Sequence, residues 1–375
     1  MSATRISFPN RDPVRFHDEL KTRVHEYFRS RGLSEKANAA MVLKTVALLA
    51  LTFGPWALIL TGRFGPWEML GLAMLTGVGM AGVGFSIAHD ALHGAYSHNS
   101  KVNEVLGYTF DLMGANGYIW KVTHNIIHHT YTNIHGVDGD LVVSPLIRLS
   151  PRSEWKPVHR WQWLYGFPLY SLSTIFWVFI KDYKYFLKTP HPEPYKHKHH
   201  SAGAVVRLLG TKALYYTWTI VIPLLVLDIP WWQFVIGFVA MHLVAGIILG
   251  VVFQLAHSVE GPEFPLPDEH GVMEHAWAVH EMETTSDFAR SNRLLCWYVG
   301  GLNFQIEHHL FPKICSIHYP AISPIVEDVA RKHGIVYNHH RTLREAVKSH
   351  WRMLYDLGRK PGEEGQVAPL VPVGP

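Results

Sequence analysis

Residues Met69 to His93 read MLGLAMLTGVGMAGVGFSIAHDALH, an uncharged run from Met69 to Ala88 that passes directly into two histidines spaced four apart. The uncharged part is long enough to cross a hydrocarbon core, and a buried soluble helix fits this length less well. Within it, Ala73, Gly77 and Ala81 recur at every fourth position and predict a small-residue stripe on which another helix can pack closely. His89 and His93 fall on one face of a helix continuing past the run.

Outward from this stretch, Thr45 to Gly62 is a second uncharged run, joined to the first by a turn containing Arg63 and Pro66, so residues 45–88 predict a transmembrane hairpin. Ala213 to Leu227 and Ile229 to Ala256, broken by Asp228 and Pro230, predict another over 213–256, with Gly246 and Gly250 at GxxxG spacing. Trp163 to Ile180 is also uncharged and rich in aromatics. If it crossed as well, the histidines before and after the second hairpin would face opposite sides of the membrane. It is therefore read as interfacial, consistent with Gly166, Pro168 and its serines.

The fold expected is an all-α integral membrane protein of one domain, residues 1–375, with four transmembrane helices in two hairpins, interfacial helices and a cytoplasmic histidine-rich cap. The cap is built from 1–44, 89–212 and 257–375. Basic residues are dense before Thr45 and up to Lys212, whereas the hairpin turns carry only Arg63, so both termini and the cap are placed in the cytoplasm.

Composition narrows the chemistry. Hydrophobic residues make up 48% of the 375 and charged residues 17%, with 26 histidines, which is too apolar and too rich in histidine for an average soluble domain. A net charge of +4 gives little reason to expect a nucleic-acid partner. Cys296 and Cys315 alone cannot build a disulfide scaffold, a four-cysteine zinc site or a cysteine-ligated iron–sulfur cluster. The charged N-terminus lacks the apolar segment of a cleavable signal peptide.

Histidine is thus the candidate metal ligand, and it comes in three clusters. His89-Asp-Ala-Leu-His93 is the first. His124-Asn-Ile-Ile-His128-His129 repeats the four-residue spacing and adds a neighbour turned about 100° around a helix, so that adjacent rings can reach two metals. Asn303-Phe-Gln305-Ile-Glu307-His308-His309-Leu-Phe-Pro312 is the third, with Gln305 where another histidine is expected, an amide oxygen being the weaker ligand. His257 ends the fourth run at the same expected depth as His89 and makes an eighth ligand. Any one histidine is more often an ordinary polar residue, but clusters of ligand spacing at span ends point together to a shared site.

Eight imidazoles suit two ions with open coordination positions better than one zinc, and iron is the natural ion for oxygen chemistry. Asp90, Asp138, Asp140 and Glu307 lie beside the ligands, either to accept a second imidazole N–H or as solvated carboxylates. Gln305 is a possible ligand. Trp120, Trp277 and Trp297 are read as lining an acyl channel or a membrane belt. Lys196-His-Lys-His199-His200 is read as a solvated basic loop, and His98, His135, His242, His275, His280, His339 and His340 as outside the first shell, with His98 and His275 possible outer-shell groups.

At these residues the sequence resembles the membrane fatty acid desaturases, whose three histidine boxes match His89 to His93, His124 to His129 and Gln305 to His309. The resemblance covers nearly the whole chain. The glutamine-led third box and the four-residue first box are similar to the front-end group that includes linoleoyl-CoA (delta-6) desaturases, and Tyr131-Thr-Asn133 and Thr284-Thr285 also look family-like. The resemblance implies a di-iron centre held by the box histidines plus His257, with O2 as co-substrate. No His-Pro-Gly-Gly haem motif of a fused cytochrome b5 occurs, and His191-Pro-Glu-Pro does not supply one. Electrons are therefore expected from NAD(P)H through a separate reductase and a ferredoxin or cytochrome b5.

The expected function is insertion of a double bond into a long fatty acyl-CoA or acyl-lipid, with delta-6 as the family-based position. A di-iron lipid hydroxylase or ketolase is the nearest alternative. A histidine-rich zinc transporter is more distant, because the spans hold almost no ionisable residue besides His242.

Overall fold

A computed structural model describes residues 6–9, 15–141, 144–187 and 200–361. Among them the regular structure is almost all helix, with only two very short strands. In order come α1 (Phe16–Ser30), α2 (Ala39–Leu60), α3 (Pro66–Leu92), α4 (Ser100–Leu112), α5 (Pro157–Ser171), α6 (Ser173–Leu187), α7 (Ala202–Val226), α8 (Trp231–His257), α9 (Trp277–Thr284), β1 (Asp287–Phe288), α10 (Gln305–Leu310), α11 (Tyr319–Lys332), β2 (His339–His340) and α12 (Leu343–Gly358). The two short strands pair in parallel, Asp287 with His339.

Four helices, α2, α3, α7 and α8, are long and apolar enough to cross a membrane, and they are the four runs expected. Two begin earlier than charge alone suggests. Asn38 caps α2 by accepting the Met41 N–H, which places Lys44 inside the helix and buried. Ser201 caps α7 through the Ala204 N–H, and its two cations find carboxylates: Arg207 lies 2.9 Å from Asp111 and Lys212 2.8 Å from Asp182. A charge inside a span is tolerated when it is paired.

The central helix is α3, packed against α2 and α8. A Cβ at Gly77 would stand 2.2 Å from the Met241 carbonyl oxygen, and one at Gly79 2.6 Å from the Thr52 nitrogen, so the small residues do bring the backbones together. The Gly246 and Gly250 face also makes a close contact. It packs not on α7 but on α5, with a Gly246 Cβ 2.2 Å from Ser171 O and a Gly250 Cβ 2.8 Å from the Tyr170 Cβ.

The stretch read as interfacial, Trp163 to Ile180, is two helices, α5 and α6, meeting at 59°. It is therefore not one straight span. Trp161, Leu164, Phe179 and Ile180 stay exposed on it, while Tyr170 and Thr174 are buried. Of the basic loop, residues 196–199 lie outside the described residues, as does His191. His200 stacks on Phe186 and lies 3.3 Å from the Tyr118 hydroxyl.

The C-terminal ends of α3 and α8 and the N-terminal end of α2 meet at one end of the bundle, where a second core is built. In α1, Phe16, Leu20, Val24 and Phe28 recur every fourth residue and are buried against Ile322, Val326 and Val329 of α11 and Ile306 and Leu310 of α10. Burial of each such side chain contributes roughly 1.5–3 kcal/mol. The third histidine cluster thus rides on a packed helix.

The last helix, α12, is fixed to the bundle by His350, whose Nδ1–H donates to Ser258 O at 2.6 Å while Nε2 accepts from the Tyr170 hydroxyl at 2.9 Å. Burial pushes this imidazole from 6.5 down to about 4. The unfolded segment takes up a proton first, so the anchor is intact above pH 6.5 and is lost as pH falls toward 4. We expect hydrogen-exchange protection in α12, taken relative to the intrinsic amide rate at each pH, to fall by about 2 kcal/mol between pH 7 and pH 5, and this dependence to vanish in His350→Gln.

Candidate metal centre

All eight histidines named from the sequence converge at the shared end of the bundle, and each is at least nine-tenths buried. One nitrogen from each of His89, His93, His124 and His308 falls within 4.8 Å of the others, and the same holds for His128, His257 and His309. His129, His308 and His309 form a third such group that joins the two.

Local backbone explains how they meet. A π turn over Gly84–Ala88 precedes His89 at the end of α3. The second cluster is not an ordinary α-helix, as its spacing suggests, but π-helical over Lys121–His128. The His129 N–H donates to His124 O, and their Nε2 atoms stand 3.2 Å apart. The wider turn therefore brings His124 and His129, five apart, together, while the adjacent His128 and His129 fall in different ligand-spaced groups.

The ring nitrogens show which atoms are free to bind a metal. His128 Nδ1 donates to Asp138 Oδ2 at 3.0 Å, His309 Nδ1 to Glu281 Oε2 at 2.7 Å, and His257 Nδ1 to Thr284 O at 3.1 Å. In each, the other nitrogen, Nε2, is buried without a partner. Three imidazoles are thus held by Nδ1 so that each turns Nε2 toward one point. His308 Nδ1 meets the Tyr319 hydroxyl at 3.2 Å, and its Nε2 is likewise orphaned, as are His89 Nδ1, His93 Nε2 and His129 Nδ1. Buried polar atoms left unpaired in such number fit bound cations.

Burial, and then the neighbouring imidazoles, push His93, His124, His129, His308 and His309 well below the usual histidine range, so they remain neutral ligands. Burial works against His128 too, but the carboxylates of Asp138 and Asp140 outweigh it and raise that ring. Burial raises the Glu281 carboxyl well above its ordinary value. A cation behind His309 opposes that shift, because an ion reverses the local charge preference.

The four carboxylates named from the sequence divide. Asp138 orients His128 and also accepts the Asn133 and Asp140 N–H groups. Asp140 stands 3.8 Å from the same ring and within one ligand-spaced group with His124 and His128. Asp90 does not orient a ring: its Oδ2 accepts from Ser316 N and Oγ and from Cys315 Sγ, while His89 Nδ1 lies 3.7 Å from Oδ1. Helical direction turns it away from the neighbouring histidine, so it ties α3 to the loop after α10.

Glu307 likewise orients no histidine. Tyr337 OH lies 2.7 Å from Glu307 Oε1 and 2.6 Å from Asp287 Oδ2. The phenol thus bridges the two carboxyls, and burial raises both above the ordinary carboxylate range. Gln305 opens α10 and is buried. His98 lies exposed at 3.3 Å from Ser34 Oγ, and His275 pairs with Glu283, so neither is an outer-shell group. His242 is held by the Tyr215 hydroxyl at 2.6 Å, and His280 by Thr132 O.

Several groups had no sequence signal. Glu281 is one. Asp287 accepts the Ile306 N–H at the start of α10, and Asn133 Nδ2 reaches His257 O, Glu263 O and Thr284 O, cross-linking the second cluster to His257. Asn133 and Thr284, which bond each other, fall in the Tyr131-Thr-Asn133 and Thr284-Thr285 stretches that look family-like, whereas Glu281, Glu263 and Asp287 lie outside them. Phe253 of α8 is half-buried, its ring 5.4 Å from His128 and 5.7 Å from His257, while Trp120 stacks on His124 at 4.3 Å and Trp277 donates to His129 O. Trp297 remains partly exposed away from these rings.

A fatty acid desaturase family model matches residues 65–341. The chain is 35% identical over 362 residues to an sn-1 linoleoyl-lipid 6-desaturase of Synechocystis sp., covering 96% of this chain and 99% of that one. It is 36% identical to the protein of the same name from Arthrospira platensis, over 93% of this chain and 94% of the relative. An acyl-lipid (8-3)-desaturase of Mortierella alpina is 33% identical over 94% of this chain and 80% of its own length. A helical membrane fold, a buried histidine centre and similarity running through all three clusters lead to one conclusion: this chain is an oxidoreductase that belongs to the fatty acid desaturase family, in its front-end subgroup.

Proposed function

We propose that this enzyme inserts a cis double bond at the sixth position of a linoleoyl chain carried on a membrane lipid, and that two iron ions bind within the eight histidines. His89, His93, His124 and His308 would hold one ion and His128, His257 and His309 the other, with His129 grouped with His308 and His309 between the two sets. The observation that carries this reading is the set of orphaned, inward-facing nitrogens, each on a ring whose other side is fixed or packed. Gln305 is an additional oxygen donor at the start of α10. The whole chain, residues 1–375, acts as a single domain, with its termini and centre on the cytoplasmic side.

Iron supplies the oxidation of an unactivated C–H bond, for which no side-chain acid or base would suffice. The balance is R–CH2–CH2–R′ plus O2, two electrons and two protons, giving R–CH=CH–R′ and two waters. The electrons come from NAD(P)H through a separate reductase and a ferredoxin or cytochrome b5. The protein's own part is to exclude water, as its buried rings do, and to fix which carbons approach. Phe253 and Trp120, touching ligands from the membrane helix and from the segment after α4, wall that approach.

Acyl-lipid rather than acyl-CoA is preferred because the relatives named above act, by name, on acyl-lipids. The test is expression in a host fed linoleate, with double bonds located by mass spectrometry in separated lipid classes. We expect a chain two mass units lighter, desaturated at carbon 6, appearing first in glycerolipid. A product sixteen units heavier, or one formed first as the acyl-CoA, would contradict the assignment.

A further inference from the structure

We infer that the two ion positions are inequivalent, and that the one inside His128, His257 and His309 holds its ion more tightly because Asp138 and Glu281 back its imidazoles. This inference rests on the two-ion reading above and deepens it. Around that position, His128 and His309 each donate Nδ1–H to a buried carboxylate, at 3.0 and 2.7 Å, while Asp140, 3.8 Å from the first ring, also groups with His124 and so serves both positions. Around His89, His93, His124 and His308, no carboxylate lies within hydrogen-bond distance of a ring among the described residues. The nearest is Asp90 at 3.7 Å from His89, its other oxygen engaged by Ser316. The polar group facing His308 there is the neutral Tyr319 hydroxyl.

A carboxylate that accepts an imidazole N–H gives the ring partial imidazolate character, makes it a stronger donor and adds negative charge behind it. Both act in surroundings from which water is excluded, where such charge is weakly screened. Asp138 and Glu281 are themselves held in place. Asp138 accepts two backbone N–H groups, and Glu281 Oε2 also accepts from Thr132 Oγ1 at 2.9 Å. They are positioning residues, acting through His128 and His309 rather than on substrate.

The experiment equilibrates purified, iron-loaded enzyme with graded concentrations of a competing iron(II) chelator and measures iron retained per chain. Wild type is expected to lose its iron in two steps of equal size. Glu281→Gln and Asp138→Asn should each shift the tighter step by about 10–100-fold toward lower chelator and leave the weaker step in place. Tyr319→Phe should move only the weaker one. In 57Fe-loaded protein, Glu281→Gln should alter one of two Mössbauer doublets. Loss of both ions in a single step, or equal displacement of both steps by Glu281→Gln and Asp138→Asn, would overturn the inference. Protein that carries zinc or a single ion would instead overturn the two-iron reading on which it rests.

Discussion

Replacing His128 or His308 by alanine is expected to lower desaturated product at least about a hundredfold, because loss of a ligand exceeds the 10–100-fold cost of losing an outer partner. On the two-iron proposal the two residues sample different positions: His128 groups with His257 and His309, His308 with His89, His93 and His124. Each variant should therefore retain about one iron per chain rather than none. Folding is expected to survive. Asp138, deprived of His128, still accepts the Asn133 and Asp140 N–H groups, and Tyr319, deprived of His308, lies within the α11 core. His98→Ala, at an exposed ring bonded to Ser34, serves as the control and should leave product and iron unchanged.

The second large effect concerns a methyl group. Gly246→Ala places a Cβ 2.2 Å from Ser171 O and 2.8 Å from Ser171 C, backbone atoms that cannot rotate away. The α5–α6 bend must then move off α8, breaking the bonds from Ser173 Oγ to Gly246 O and from Thr174 Oγ1 to His242 O. A cost of at least about 2–3 kcal/mol is expected, read as a lower melting temperature and lower yield in membranes. His257, at the end of the same helix, would shift with it. Gly237→Ala provides the comparison, since its Cβ meets only Ala73 Cβ at 3.8 Å, and it should be nearly neutral.

The sequence made the spans and the histidine clusters legible for the same reason: both depend on residue type at short spacing. Apolar runs needed only their ends corrected, at Lys44 and Lys212, where a buried cation inside a helix was read as a boundary. The second histidine cluster was found, but its geometry was not, because nothing in HNIIHH distinguishes a π turn from an α turn. That difference is a hydrogen-bond register, set by the packing of Trp120 and His124 against neighbours distant in sequence.

The groups behind the ligands were the least legible. Asp138 lies ten positions after His128 and could be named, whereas Glu281 reaches His309 from α9, and Tyr337 reaches Glu307 from the approach to β2. Conversely Asp90 and Glu307, adjacent to ligands in sequence, serve neighbouring loops, since successive residues on a helix point in different directions. Gly246 and Gly250 announced close contact, and the contact exists; its partner, α5, was not specified by spacing.

The central claim, two irons within eight histidines, is tested most directly by metal analysis of the purified enzyme with Mössbauer spectra of 57Fe-loaded protein. Two irons per chain, falling to about one in His128→Ala and in His308→Ala, is the expected result. One ion per chain, or zinc in place of iron in enzyme that forms product, would contradict it.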